Sequence, residues 1–135
     1  MTKTSSVSNG HFGYDLIRNH VLSDILGAHE DDILYWAGKS LARKFPLSSL
    51  AEAPDFFHQA DFGKLSLEKN SRHEAVYSLS PLSSGGRCFK LEAGFLAEQK
   101  QNIDGFVTEA YEEPHPKKKM VRITLKWDLK DKVEE

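Results

Sequence analysis

The sequence predicts an α+β fold: an antiparallel four-stranded sheet with helices packed on one face, in the order α-α-α-β-β-α-β-β. Two observations support this. Apolar residues first recur every three or four positions, as in amphipathic helices, and later alternate with polar residues, as in strands with one wet face. Between the two strand pairs, the segment from Cys88 to Gln101 is apolar or small on nearly every side, which is typical of a buried helix. Helices on one face of an antiparallel sheet account for both patterns.

The chain has 135 residues, a net charge of -2 and 39% hydrophobic residues, which fits one globular domain. We assign residues 1–10 to a flexible Ser/Thr-rich tail, 11–130 to a single α+β domain and 131–135 to a C-terminal tail. No apolar run reaches the roughly 18 to 20 residues that span a bilayer. The first residues lack the apolar run of a secretory signal, and the single cysteine cannot form an internal disulfide, so we expect a cytoplasmic protein.

Three helical stretches come first. The first runs from Phe12 to Leu26 and ends at Gly27; the second runs from Asp31 to Phe45, where Pro46 stops it. The third, residues 48–60, is divided by a proline. The apolar stripe of the first helix consists of Tyr14, Ile17, Val21 and Ile25, widened by Leu22 and Leu26.

Two strand pairs follow, on either side of the buried helix. In the first pair, apolar residues alternate with polar ones around a turn near Asn70 and Ser71, and residues 81–87 form a flexible loop. The second pair covers residues 104–113 and the final strand. The alternating apolar positions are Leu65, Leu67, Ala75, Tyr77, Leu79, Val121, Ile123, Leu125 and Trp127.

Glycines inside two helices point to a special packing. Gly38 and Gly94 each cost about 1 kcal/mol relative to alanine, so something must offset that cost. Either two helices approach closely, or the missing side chains leave room for an elongated apolar ligand. A ligand pocket of this kind would be lined by Leu34, Ala37, Gly38, Leu41, Ala93, Gly94 and Ala97.

No motif of a known catalytic site is present, and we predict no catalytic residue, no metal ligand and no cofactor. Six scattered histidines lack metal-binding spacing, and Glu92 and Glu98 lie about 120° apart around one helix. Two alternatives stay open. Cys88, at a helix start, would act on an acyl or thioester group in an enzyme; the basic patch from Lys117 to Lys126 would contact phosphates in a nucleic-acid binder.

Three segments carry a resemblance to known families. Cys88, the run Gly94-Phe95-Leu96-Ala97, Glu109 and the closing strand resemble the 4-vinyl reductase-like domains, relatives of the transport-particle (TRAPP-like) subunits. Over nearly the whole chain, YWAGKSLARKFPL, CFKLEAGFLAEQ and the terminal LKWDLKD resemble the YslB-like bacterial family of unknown function.

The resemblance implies a mixed fold, dimerisation through the first helices and, in several members, a pocket for an acyl chain or small aromatic molecule. Some members hold zinc through residues like Cys88 and Glu109 with two later cysteines, but this chain has no later cysteine, so we expect no structural zinc. The expected function is a non-enzymatic homodimeric domain that binds a small hydrophobic ligand or acts as a protein-interaction adaptor. The predicted dimer residues are Tyr14, Ile17, Val21 and Trp36.

Overall fold

A computed structural model describes residues 10–80 and 88–133, so residues 1–9 of the predicted tail at 1–10 and the predicted loop at 81–87 lie outside the described residues. The helices are α1 (Gly10–Leu16), α2 (Ser23–Leu26), α3 (Glu30–Lys44), α4 (Ala53–Gln59) and α5 (Lys90–Asp104). A π-helical turn (Ile17–Leu22) joins α1 to α2, and we call residues 10–26 the N-terminal helix. Short 3-10 turns cover Gly27–His29, Leu50–Glu52 and Pro116–Lys118.

The four strands form one antiparallel sheet in the order β1-β2-β4-β3. They are β1 (Lys64–Asn70), β2 (Glu74–Ser80), β3 (Phe106–His115) and β4 (Met120–Lys132). The predicted fold class is confirmed. Alternate residues of β2 and β4 face the core as expected, but Leu67 is 52% exposed, because it lies on the edge strand β1 beside a register shift.

Helix α5 is the centre of the fold. Every residue from 92 to 99 is buried, because the sheet packs against one side of α5 and α3 packs against the other. An aromatic cluster fills the core where α4 approaches: the rings of Phe56 and Phe95 stack with centroids 4.7 Å apart, and the ring of Phe57 meets that of Phe62 edge-on at 5.2 Å. The prediction of a buried helix against a sheet is therefore correct.

The ends of the elements follow local chemistry. Gly105 adopts a left-handed conformation (φ 84°) that ends α5. The buried Gln99 side chain accepts a hydrogen bond from the Leu47 N–H (3.0 Å) and donates one to the Phe45 carbonyl (2.9 Å), which satisfies the backbone after α3.

The domain extends beyond its predicted C-terminal boundary. Strand β4 continues to Lys132, which pairs with Phe106, and the N–H of Val133 donates to the carbonyl of Gly105. The predicted tail at 131–135 therefore begins too early, because backbone pairing with β3 continues past residue 130. At the other end, α1 already begins at Gly10. Among the helices within residues 10–80 and 88–133, none has the length and apolar character that a membrane span requires.

Candidate functional site

A set of large apolar side chains lies exposed on the N-terminal helix and α3. Spacings of four along the N-terminal helix place several of them on its outward side. We call this set the outer face: Phe12, Leu16, Ile17, Val21, Ile25, Ile33 and Trp36, each at least 40% exposed. Three of the four predicted dimer residues belong to it.

The fourth predicted dimer residue, Tyr14, lies on the opposite side of the helix. Its ring is half-buried and packs 6.2 Å from the ring of Phe62, and its hydroxyl accepts a hydrogen bond from Arg18. Leu22 and Leu26 are likewise half-buried. The predicted stripe is thus divided: Tyr14 faces the body of the protein, whereas the Ile17 series faces away from it.

A buried ion pair lies beneath the N-terminal helix. Arg18 is 3% exposed, and its Nη2 lies 2.7 Å from Oε1 of the fully buried Glu92. The same nitrogen donates to the carbonyl oxygen of Cys88 at 2.9 Å. Burial opposes the charge on Arg18, but the adjacent Glu92 carboxylate outweighs that effect and raises the guanidinium pKa.

Cys88 lies next to this pair, half-buried just before α5. Its thiol donates to Oδ1 of Asp31 at 3.2 Å. Burial, with the hydrogen bond and negative charge of Asp31, raises the pKa of the thiol to about 12. The thiol is therefore protonated at neutral pH, although a start of a helix would by itself favour the thiolate.

The seven residues predicted to line a ligand pocket lie together at the crossing of α3 and α5. Leu34, Gly38, Ala93, Gly94 and Ala97 are buried there, and Ala37 and Leu41 lie at its margin. A Cβ atom on Gly38 would lie 2.8 Å from the backbone nitrogen of Phe95, and one on Gly94 would overlap the carbonyl oxygen of Tyr35. The close-packing alternative therefore describes both glycines. The facing helix fills the space in which the pocket was expected, and a ligand there would have to separate the two helices.

An open groove that the sequence did not predict lies between α3 and the edge strand β3. Its volume is about 430 Å³, and its lining residues include Asp31, Asp32, Tyr35, Lys39, Lys90 and Glu109. The Tyr35 hydroxyl accepts a hydrogen bond from the Ala110 N–H at 3.1 Å, and burial raises the tyrosine's pKa. No spacing along the chain predicts this groove, because it forms only when residues about 75 positions apart meet.

The basic patch is partly neutralised by neighbouring carboxylates. Nε of Arg122 lies 2.9 Å from Oε1 of Glu68, and Nζ of Lys126 lies 4.0 Å from Oε1 of Glu74. The lysines at 117–119 are exposed around a 3-10 turn. Within the part of the chain that the structure describes, no group of three His, Cys, Asp or Glu side chains is placed to hold a metal ion.

Three solved structures share this fold at low sequence identity. A vinyl-4-reductase family protein from Methanocaldococcus jannaschii matches with a TM-score of 0.55 and 20% identity, covering 93% of this chain and 85% of that chain. An H-NOX protein from K. algicida matches with a TM-score of 0.53 and 13% identity over 78% of this chain and 67% of that chain. A trafficking protein particle complex subunit 3 from Naegleria fowleri, covalently bound to palmitic acid, matches with a TM-score of 0.50 and 10% identity over 93% of both chains.

The sequence comparisons are more specific. The uncharacterized protein YslB of Bacillus subtilis (strain 168) is 43% identical over 129 residues, which cover 90% of this chain and 87% of YslB. A family described as proteins of unknown function (DUF2507) matches residues 11–126. On both grounds, the chain belongs to the DUF2507 family.

Proposed function

We propose that the protein is a non-enzymatic homodimer that acts as an adaptor for another protein, with its two copies paired through the outer face. The main supporting observation is that the N-terminal helix exposes apolar side chains and buries a charged one, the reverse of a typical surface helix. Apolar residues such as Ile17 and Ile25 point away from the protein's own core, while Arg18 is buried beneath the helix. Exposed apolar patches of this kind are typical of interaction sites.

A second copy of the chain fits the outer face by composition. A twofold interface brings the same patch of both subunits together, so an apolar patch meets an apolar patch. A stable interface buries about 800 Å² on each partner. Phe12 is 69% exposed and Trp36 is 63% exposed, and these two side chains alone present on the order of 250 Å².

The geometry favours a protein-interaction adaptor over a protein that binds a small hydrophobic ligand. The α3–α5 crossing is filled, and the groove beside β3 is lined largely by charged and hydroxyl-bearing side chains. Binding sites for apolar ligands are lined mainly by hydrophobic and aromatic side chains. A ligand or acyl chain is the second candidate, favoured by the fold shared with a subunit that carries palmitic acid.

The environment of Cys88 supports a non-enzymatic role. A nucleophilic cysteine needs a lowered pKa, and here burial and Asp31 raise the pKa of Cys88 to about 12.

Pairing of Arg122 with Glu68 removes part of the positive charge that a nucleic-acid binder would use. An unpaired thiol also fits a cytoplasmic setting.

Native mass spectrometry of the purified protein, compared with its denatured mass, tests this proposal. We expect a dimer with twice the chain mass and no adduct, which then serves as bait for a protein partner. A dimer carrying an adduct that denaturation releases would favour the ligand-binding alternative. A monomer at micromolar concentration would contradict the proposal.

A further inference from the structure

The N-terminal helix is attached to the protein in an unusual way. Among the described side chains of residues 12–29, Arg18 is the single buried one. A helix that packs on its own core normally buries an apolar stripe. This helix instead buries a guanidinium group, and most of its large apolar side chains lie on the outer face.

Arg18 connects the helix to two points on the rest of the protein and also forms one hydrogen bond within the helix. Its Nη2 bonds Glu92 Oε1 (2.7 Å) and the Cys88 carbonyl (2.9 Å), and its Nη1 donates to the Tyr14 hydroxyl. Glu92 belongs to α5, the most deeply buried helix. The guanidinium therefore links the outermost helix directly to the centre of the fold.

A second link lies farther along the helix and is more exposed. Oγ of Ser23 donates to Oε2 of Glu30 at 2.9 Å, at the start of α3. The aromatic contact of Tyr14 with Phe62 adds packing at the other end. Arg18 lies between these two links, in the π-helical turn. Single π-helical turns of this type often occur at functional positions.

The energetics of a buried ion pair make this attachment conditional. Removing two charges from water costs nearly as much as their attraction returns, so the intact pair contributes little net stability. Removing one partner is different, because the other charge stays buried without compensation. Docking of the N-terminal helix therefore depends on both residues being present, rather than on a large apolar contact.

We infer that the buried Arg18–Glu92 ion pair controls docking of the N-terminal helix on α5, and with it the arrangement of the outer face. This inference rests on the proposed homodimer. A second copy that covers the outer face stabilises the docked helix, and an undocked helix no longer holds its own outer-face residues beside those of α3. Docking and dimerisation are then linked equilibria, and each strengthens the other by the same factor.

Amide hydrogen exchange, combined with a double-mutant cycle, tests whether this ion pair controls docking of the helix. The variants are Arg18→Met, Glu92→Met and the double variant, each compared with the wild-type chain. We expect either single variant to raise exchange in residues 12–26 by about tenfold or more, while residues 93–99 of α5 keep their protection. The double variant should exchange far more slowly than the product of the two single effects predicts, because it leaves no unpaired buried charge.

Three results would overturn the inference. The first is unchanged exchange in residues 12–26, and the second is strictly additive effects of the two substitutions. The third is loss of protection throughout the chain in Arg18→Met, which would mean that the pair holds the whole core rather than one helix. The readout also separates this inference from the proposed function. A wild-type chain that stays monomeric contradicts the proposed homodimer. Comparing its exchange with that of the variants still shows whether the ion pair controls docking of the helix.

Discussion

A Cβ atom on Gly38 would lie 2.8 Å from the backbone nitrogen of Phe95, because α3 and α5 cross with their backbones in direct contact. We therefore expect Gly38→Ala to lower the free energy of unfolding by about 1–3 kcal/mol, since an added methyl group forces the helices apart. Urea denaturation measures this change.

Gly13→Ala is the matched control for that substitution. Gly13 also lies within a helix, but a Cβ there would meet no atom within 4 Å. Alanine should therefore stabilise the helix at this position by up to about 1 kcal/mol. Equal effects of the two substitutions would contradict the account of the crossing.

Removing the hydroxyl of Tyr35 should destabilise the edge of the sheet. This hydroxyl accepts the N–H of the buried Ala110 in β3. In Tyr35→Phe that N–H loses its acceptor, at an expected cost of about 1–3 kcal/mol in the free energy of unfolding. Tyr111→Phe is the control, because its hydroxyl bonds Glu109 at the surface and its loss should cost little. No difference between the two variants would count against this role.

Replacing the buried amide of Gln99 should also lower the stability of the fold. Gln99→Leu leaves the N–H of Leu47 and the carbonyl of Phe45 without this partner, at an expected cost of about 1 kcal/mol in the free energy of unfolding for each lost hydrogen bond. Asn102→Leu, at an exposed position of the same helix, serves as the control. Thermal unfolding of both variants gives the comparison, and equal melting temperatures would show that the amide bonds contribute nothing.

The thiol of Cys88 should react slowly, with a distinctive pH profile. Since burial and Asp31 raise its pKa to about 12, the thiolate fraction at neutral pH is far below that of an ordinary thiol. Alkylation should keep accelerating as the pH rises past 9, where the reaction of a free thiol levels off. Asp31→Asn should shift the profile to lower pH. A neutral-pH rate equal to that of a free thiol would restore the Cys88 enzyme alternative.

Local patterns in the sequence were sufficient to predict the order of the elements. The alternation of Val121, Ile123 and Leu125 placed one face of β4 in the core, and all three are buried. Gly27 and Pro46 marked the ends of the first two long helical segments. These predictions succeeded because each rests on residues close together in the chain.

Tertiary contacts account for what the sequence could not provide. A π-helical turn at Ile17–Leu22 follows α1, and Tyr14 and Ile17, which the sequence placed on one stripe, lie on different sides of the helix. The partner of Arg18 lies 74 positions away, and no periodicity identifies it. The choice between a close helix crossing and a ligand pocket at Gly38 likewise required the position of α5.

Sedimentation velocity of three proteins tests the central claim, pairing through the outer face, most directly. They are the wild-type chain, the double variant Ile17→Glu/Ile25→Glu, and Leu67→Glu, whose side chain is 52% exposed on β1 against 51% for Ile17. We predict that the wild type and Leu67→Glu sediment as dimers at micromolar concentration, while the outer-face variant sediments as a folded monomer. A monomeric wild type, or a dimeric outer-face variant, would contradict the account.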